Sequence, residues 1–145
     1  MEIYSIGFTQ KSAAQFFGAL KNVGVRRLMD VRLNNRSQLA GFTKNTDLPF
    51  FLKELCDASY VHQPLLAPTQ EMLDDYKKKK GSWNEYELCF LELMDKRRIA
   101  SALDPQSFKQ ATALLCSEPT AEQCHRRLVL EYLQRHWEGV IIRHL

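Results

Sequence analysis

The stretch Ala113-Leu114-Leu115-Cys116-Ser117-Glu118-Pro119-Thr120-Ala121-Glu122-Gln123-Cys124-His125-Arg126-Arg127-Leu128-Val129 changes its pattern twice. It opens as a short apolar run, the pattern of a buried strand. It breaks at Ser117-Glu118-Pro119, because proline cannot donate to the ladder of a central strand. Thr120 then reads as a helix N-cap, with Gln123 completing a capping box. Cys116 and Glu118 therefore fall where a strand ends, and Cys124, His125 and Arg126 fall in the first turns of the next helix. In α/β proteins such a corner is where ligands bind, since strand carboxyl ends and helix N-termini open into one crevice.

Working outward, the amino-terminal third supplies the handedness of the sheet. Ile3 to Ile6 reads as a strand and Gly7-Phe8-Thr9 as the turn after it, with Thr9 a candidate cap. Ala13, Phe16, Phe17 and Leu20 recur at helical spacing, and Arg26 to Arg32 reads as a second strand with Asp30 and Arg32 at its carboxyl end. Strand, helix and strand in so short a span make a βαβ unit, which requires parallel pairing. Leu33 to Thr46 has no clear periodicity and reads either as a solvated loop or as a basic, anion-binding lid carrying Arg36 and Lys44. A helix over 47–58, a short strand Ser59 to His62, helices over 68–80 and from Trp83 to about Ile99, and a last strand near 139–144 complete the chain. The expectation is a small Rossmann-like α/β domain spanning 1–145, with a mostly parallel sheet of about five strands and helices on both faces.

The 145 residues suffice for a core without disulfides or a structural metal. No apolar run reaches the roughly 20 residues of a membrane span, and the strand-like start leaves no room for a signal peptide. A cytoplasmic protein with reduced thiols at Cys56, Cys89, Cys116 and Cys124 is expected. The net charge of +3 permits an anionic ligand without demanding nucleic acid. The run Lys77 to Lys80 reads first as a solvated helix end.

If the strands are parallel, Thr9, Asp30, Arg32, His62, Cys116, Glu118 and His144 all gather at one edge of the sheet, beside Cys124, His125 and Arg126. Cys116, Glu118 and His125 are the catalytic candidates. Thr9, Asp30, Arg32, Arg36, His62, Cys124 and Arg126 are the binding candidates. Each has a plainer reading: Cys56 and Cys89 as buried small hydrophobes on helix faces, Cys124 as a core residue, Asp30 with Arg32 as a structural ion pair. Cysteine phosphatases place an arginine six residues after the cysteine, where this chain has Glu122 and Leu130. A rhodanese-type loop fits more loosely, because Pro119 removes an amide. Cys116, Cys124 and His125 are metal-ligand types but lack paired spacing, so neither a metal nor a cofactor is expected. Between the thiols, Cys116 is the expected nucleophile, with Cys124 leaning into helix–sheet packing and His125 lining the pocket.

The same motifs resemble a bacterial family called domain of unknown function 488. The matching pieces are Ser5-Ile6-Gly7-Phe8-Thr9, Leu28-Met29-Asp30-Val31-Arg32 with Arg36-Ser37, Phe42, Tyr60-Val61-His62, Leu114-Leu115-Cys116-Ser117-Glu118, Cys124-His125-Arg126-Arg127 and Ile142-Arg143-His144-Leu145. The resemblance implies a small cytoplasmic α/β domain and no particular reaction. Leu65-Leu66-Ala67-Pro68 stands where many relatives have glycines, which argues against phosphate cradling by that loop. Two functions compete: an enzyme acting on an anionic small molecule or nucleotide, and a nucleic-acid or nucleotide-binding module without chemistry.

Overall fold

The computed structural model of the protein describes residues 1–36, 41–118 and 120–145. Ser37 and Pro119, both singled out in the sequence, lie outside them.

Five strands, β1 (Glu2–Gly7), β2 (Arg27–Asp30), β3 (Ser59–His62), β4 (Thr112–Cys116) and β5 (Ile141–His144), form one sheet in the order β3-β2-β4-β1-β5. Every pairing is parallel. The expected α/β architecture holds. The chain leaves β1 through α1 (Ala13–Asn22) for β2 on one side, and leaves β4 through α6 (His125–His136) for β5 on the other. β1 and β4 are neighbours whose connections leave to opposite faces of the sheet, α1 to one and α6 to the other, so the crevice at their carboxyl ends is a topological switch point, the usual ligand position in such sheets.

The strand period of two sorts side chains between two cores. Tyr4, Ile6, Leu28, Ala113 and Leu115 pack with Phe16, Phe17 and Leu20 of α1 and with Leu48 and Leu52 of α2 (Leu48–Cys56). Ile3, Met29, Val31, Leu114 and Cys116 pack with Tyr86, Phe90 and Met94 of α4 (Trp83–Lys96) and with Leu128, Val129 and Tyr132 of α6. Between α2 and α4 lies α3 (Gln70–Lys77), and α5 (Ile99–Ala102) follows α4. Short helical turns at Gly41–Thr43, Pro64–Leu66 and Pro105–Lys109 complete the fold. No helix among the described residues is long and apolar enough to cross a membrane.

Several boundaries differ from the sequence reading, each for a local reason. Ser12, not Thr9, caps α1, because Gln15 closes a capping box with it. Thr69 caps α3 inside the expected 68–80 span, and α4 ends at Lys96 because Arg98 adopts a left-handed backbone. Cys89, expected on the buried stripe of α4, is exposed: only Tyr86, Phe90 and Met94, four residues apart, are buried along that helix. The lysine run behaves as a solvated helix end. Lys77 pairs with Glu118, Lys78 with Asp74 and Lys79 with Asp75.

Candidate functional site: a thiol–imidazole–guanidinium corner

Two loops meet over the switch point. The Thr9 backbone N–H and hydroxyl both donate to the Ser117 carbonyl, tying the turn after β1 to the turn after β4. Gly7, paired with Cys116 across the sheet, makes this approach possible. A Cβ there would overlap the Glu118 carbonyl and reach within 3.0 Å of Arg126 Nη1. Gly7→Ala is therefore expected to destabilise the fold by about 1–3 kcal/mol, the usual range for overpacking, and to disturb the loop over Cys116. Chemical denaturation and Cys116 alkylation rates measure both effects; an unchanged midpoint with an unchanged rate would refute the close fit.

The expected helix start at Thr120 is corrected. α6 begins at His125, and Cys124 is its N-cap, with an extended backbone and no side-chain cap bond. Arginines of the first turn hold the preceding loop instead: Arg126 Nη1 donates to the Glu118 carbonyl at 2.8 Å and Arg127 Nη1 to the Glu122 carbonyl. Gln123 accepts from the Tyr76 hydroxyl rather than closing a capping box. The later start brings Cys124 and His125 to the same cleft, although the earlier register would have turned them about 100° apart.

Cys116, Cys124 and His125 are all buried, and one sulfur or nitrogen from each lies within 4.8 Å of the others. His125 Nε2 sits 2.7 Å from the Val31 carbonyl, which can only accept, so this nitrogen carries the hydrogen. Nδ1 then faces Cys116 Sγ at 3.5 Å. The Cys116 thiol is pushed below its ordinary pKa. A hydrogen bond from the Cys124 thiol contributes most, opposed by burial and reinforced by the Arg126 charge and the Ser117 and Glu118 backbone N–H groups. Cys124 moves the other way: its bond to Cys116 and its burial keep it protonated.

Arg126 is fully buried and has no carboxylate partner among the described residues. Besides Glu118, its guanidinium reaches Ser5 Oγ at 3.2 Å and Cys124 Sγ at 3.5 Å. The Ser5 hydroxyl in turn meets His144 Nδ1. Burial, with the charges of Arg126 and Arg127, holds that histidine below its ordinary pKa. Ser5 escaped the sequence reading, although a serine inside the apolar run Ile3-Tyr4-Ser5-Ile6 was the available signal.

The thiols and His125 form the floor of a cleft of about 170 Å³. Its wall is aromatic: Tyr76 and Trp83 both pack on Tyr86, with ring centroids 5.0 and 5.2 Å away. Lys77 and Glu118, paired at 2.9 Å, stand on its rim. None of these aromatic residues was among the site candidates of the sequence.

Asp30 and Arg32 stand outside the cluster of Cys116, Cys124 and His125, although Arg32 is among the residues lining its cleft. Asp30 shares its strand face with Leu28, so it points into the opposite core. Arg32, expected to bind anions, donates to both Asp30 oxygens at 2.9 and 2.8 Å and to the Thr43 carbonyl at 2.7 Å. The two form the buried ion pair of the plainer reading, with both side chains almost wholly buried. The Tyr60 hydroxyl donates to Asp30 at 2.6 Å, and burial together with that carboxylate raises its pKa. His62 bonds the Arg32 carbonyl, away from the thiols. Arg36 is exposed. Glu118 turns its carboxylate to Lys77, and the role of orienting His125 falls to Val31.

Fold and site together define a small, all-parallel α/β domain with a paired-thiol centre at its switch point. The family model described as Domain of unknown function DUF488 matches residues 12–133, and the chain belongs to that family. No curated protein and no solved structure matches it.

Proposed function

We propose that the protein is a cysteine-dependent enzyme in which Cys116 attacks an anionic small molecule or nucleotide held in the aromatic cleft. The observation that carries this reading is the Cys116 sulfur itself. It sits at a strand end on the floor of a cleft, acidified by its neighbours and 3.5 Å from His125 Nδ1. A thiolate is the reactive form of cysteine, and His125 Nδ1 is placed to take or return a proton. Tyr76, Trp83 and Tyr86 offer flat apolar area to a ring, and Lys77 offers a charge to an anionic group that displaces Glu118. The competing binding-module reading draws on Arg32, Arg36, Lys44 and the lysine run. It is weakened because Arg32 is buried against Asp30 and Lys77, Lys78 and Lys79 are paired with carboxylates.

The test is alkylation by iodoacetamide with peptide mapping. Cys116 is expected to react faster than exposed Cys89 at neutral pH, with a rate that rises through a pKa below the ordinary thiol value of about 8.5. Phosphate or a nucleotide is expected to slow it. If Cys116 reacts no faster than Cys89, the nucleophile assignment fails.

A further inference from the structure

We propose that Cys116 and Cys124 work as a redox pair, in which Cys124 resolves a mixed disulfide formed on Cys116 and the cleft turns over small anionic disulfides. This rests on the reading of Cys116 as nucleophile and adds a substrate class and a role for the second thiol.

Four observations carry it. Both sulfurs line one cleft, within 4.8 Å of each other, so a rotation of one side chain rather than a refolding brings them toward bonding distance. Cys124 occupies an N-cap position, where serine, threonine or aspartate would accept a backbone N–H, yet its sulfur caps no N–H and contacts Cys116 and Arg126 instead, so a bond to Cys116 costs the helix no cap. His125 Nδ1 lies 3.5 Å from Cys116 Sγ, Nε2 is held by the Val31 carbonyl, and a ring nitrogen lies within 4.8 Å of both sulfurs. Arg126 touches Cys124 at 3.5 Å and is a buried cation with no carboxylate partner among the described residues, so it favours a thiolate on either side of the exchange. The two thiols also differ in the required direction, one acidified and one kept protonated.

The chemistry balances with a disulfide as the oxidant. The Cys116 thiolate attacks one sulfur of R–S–S–R; a new S–S bond forms, the old one breaks, and R–S⁻ leaves. Cys124 then gives its proton to His125 Nδ1 and attacks the Cys116 sulfur. The Cys116–Cys124 bond forms, the second R–S⁻ leaves, and His125 returns its proton to solvent. The two protein sulfurs are oxidised by two electrons in all, and the reagent is reduced by the same two. An external dithiol restores the pair. Because the surroundings stabilise the Cys116 thiolate of the reduced form, the disulfide should be readily reducible.

The probe is dithiobis(nitrobenzoate), an aromatic, anionic disulfide, applied to a Cys56→Ala, Cys89→Ala protein so that only the paired thiols report. The expected result is release of both nitrothiobenzoate halves, no retained adduct, and a Cys116–Cys124 linked peptide that dithiothreitol reverses. Adding Cys124→Ser should halve the release and leave the reagent attached to Cys116. Should that variant fail to fold, the linked peptide in the protein retaining both thiols decides alone. A lasting adduct on Cys116 with Cys124 present would overturn the resolving role while leaving Cys116 a nucleophile. No reaction at Cys116 would overturn both readings. Stoichiometric zinc in the purified protein, lost only with both sulfurs, would make the cluster a metal centre and end the redox proposal.

Discussion

Arg32→Ala is expected to cost about 3–5 kcal/mol of stability, the penalty for leaving a buried charge without its partner. Asp30 is fully buried and accepts from the Arg32 backbone N–H, from Arg32 Nε and Nη2, and from the Tyr60 hydroxyl. Removing the guanidinium leaves the carboxylate with one side-chain donor among the described residues, the Tyr60 hydroxyl, and removes a donor to the Thr43 carbonyl. It also removes the cation lying over the Phe8 ring, 5.3 Å from its centroid. In a domain of this size the loss should appear as a fall in Tm of about 10–15 °C. Thermal and denaturant unfolding of Arg32→Ala, Asp30→Leu and the double variant give the coupling energy directly. The double variant should recover part of the loss, since an apolar pair replaces a desolvated ionic one. A single-variant loss under about 1 kcal/mol would mean water reaches the pair and a surface-type interaction holds it. Binding of a phosphate probe, compared at equal folded fraction, should be unchanged by the substitution.

The architecture was legible because its strands are apolar and its connections carry ordinary helix patterns. Ser59–His62 is a strand with the bounds its residues suggested, and β4 covers the apolar run that opens the central motif. One βαβ unit near the start of the chain implies a partly parallel sheet, and every pairing in the sheet is parallel. What escaped was the face. A list of residues at strand ends does not say which side each takes, and the period of two sends Cys116 toward α6 and Asp30 toward α1 and α2. Asp30 thus lies on the sheet face opposite Cys116, while Arg32, which pairs with it, is also among the residues lining the thiol cleft.

The start of α6 was misread for a second reason. Thr120 and Gln123 have the right residue types for a capping box, but a cap competes with whatever else holds the loop. Here the loop carbonyls at Glu118 and Glu122 are held by arginines from beyond the boundary, an interaction local spacing does not announce. The aromatic wall was hidden similarly. Tyr76, Trp83 and Tyr86 carry the same periodic signature whether they fill a core or line a cleft, and only the packing of α3 against α4 distinguishes the two.

Arg126→Leu should both weaken the fold and quench the thiol. The leucine leaves Ser5 and the Glu118 carbonyl without their guanidinium partner, at a cost of about 2–4 kcal/mol for two polar groups losing a charged donor. It also removes a positive charge that favours the Cys116 thiolate. The Cys116 pKa should rise, and its alkylation rate at neutral pH should fall by about tenfold for each unit of that rise, provided the thiolate is then the minor form. Stability should respond to pH as well. A thiol with a depressed folded pKa contributes stability that is full above the unfolded value, about 8.5, and is lost as pH falls through the folded value. In the variant that pH-dependent share should shrink, so its stability relative to the natural protein should be lowest at alkaline pH and should recover partly on acidification. Arg126→Lys separates the two effects. It keeps the charge but loses the fork that spans Ser5, Glu118 and Cys124, so it should restore thiol reactivity more than it restores the melting temperature. Alkylation–pH profiles of the three proteins, with Cys116 followed by mass, measure the shift. An unmoved profile in Arg126→Leu would show that the backbone N–H groups and the Cys124 thiol hold the Cys116 thiolate without the buried arginine.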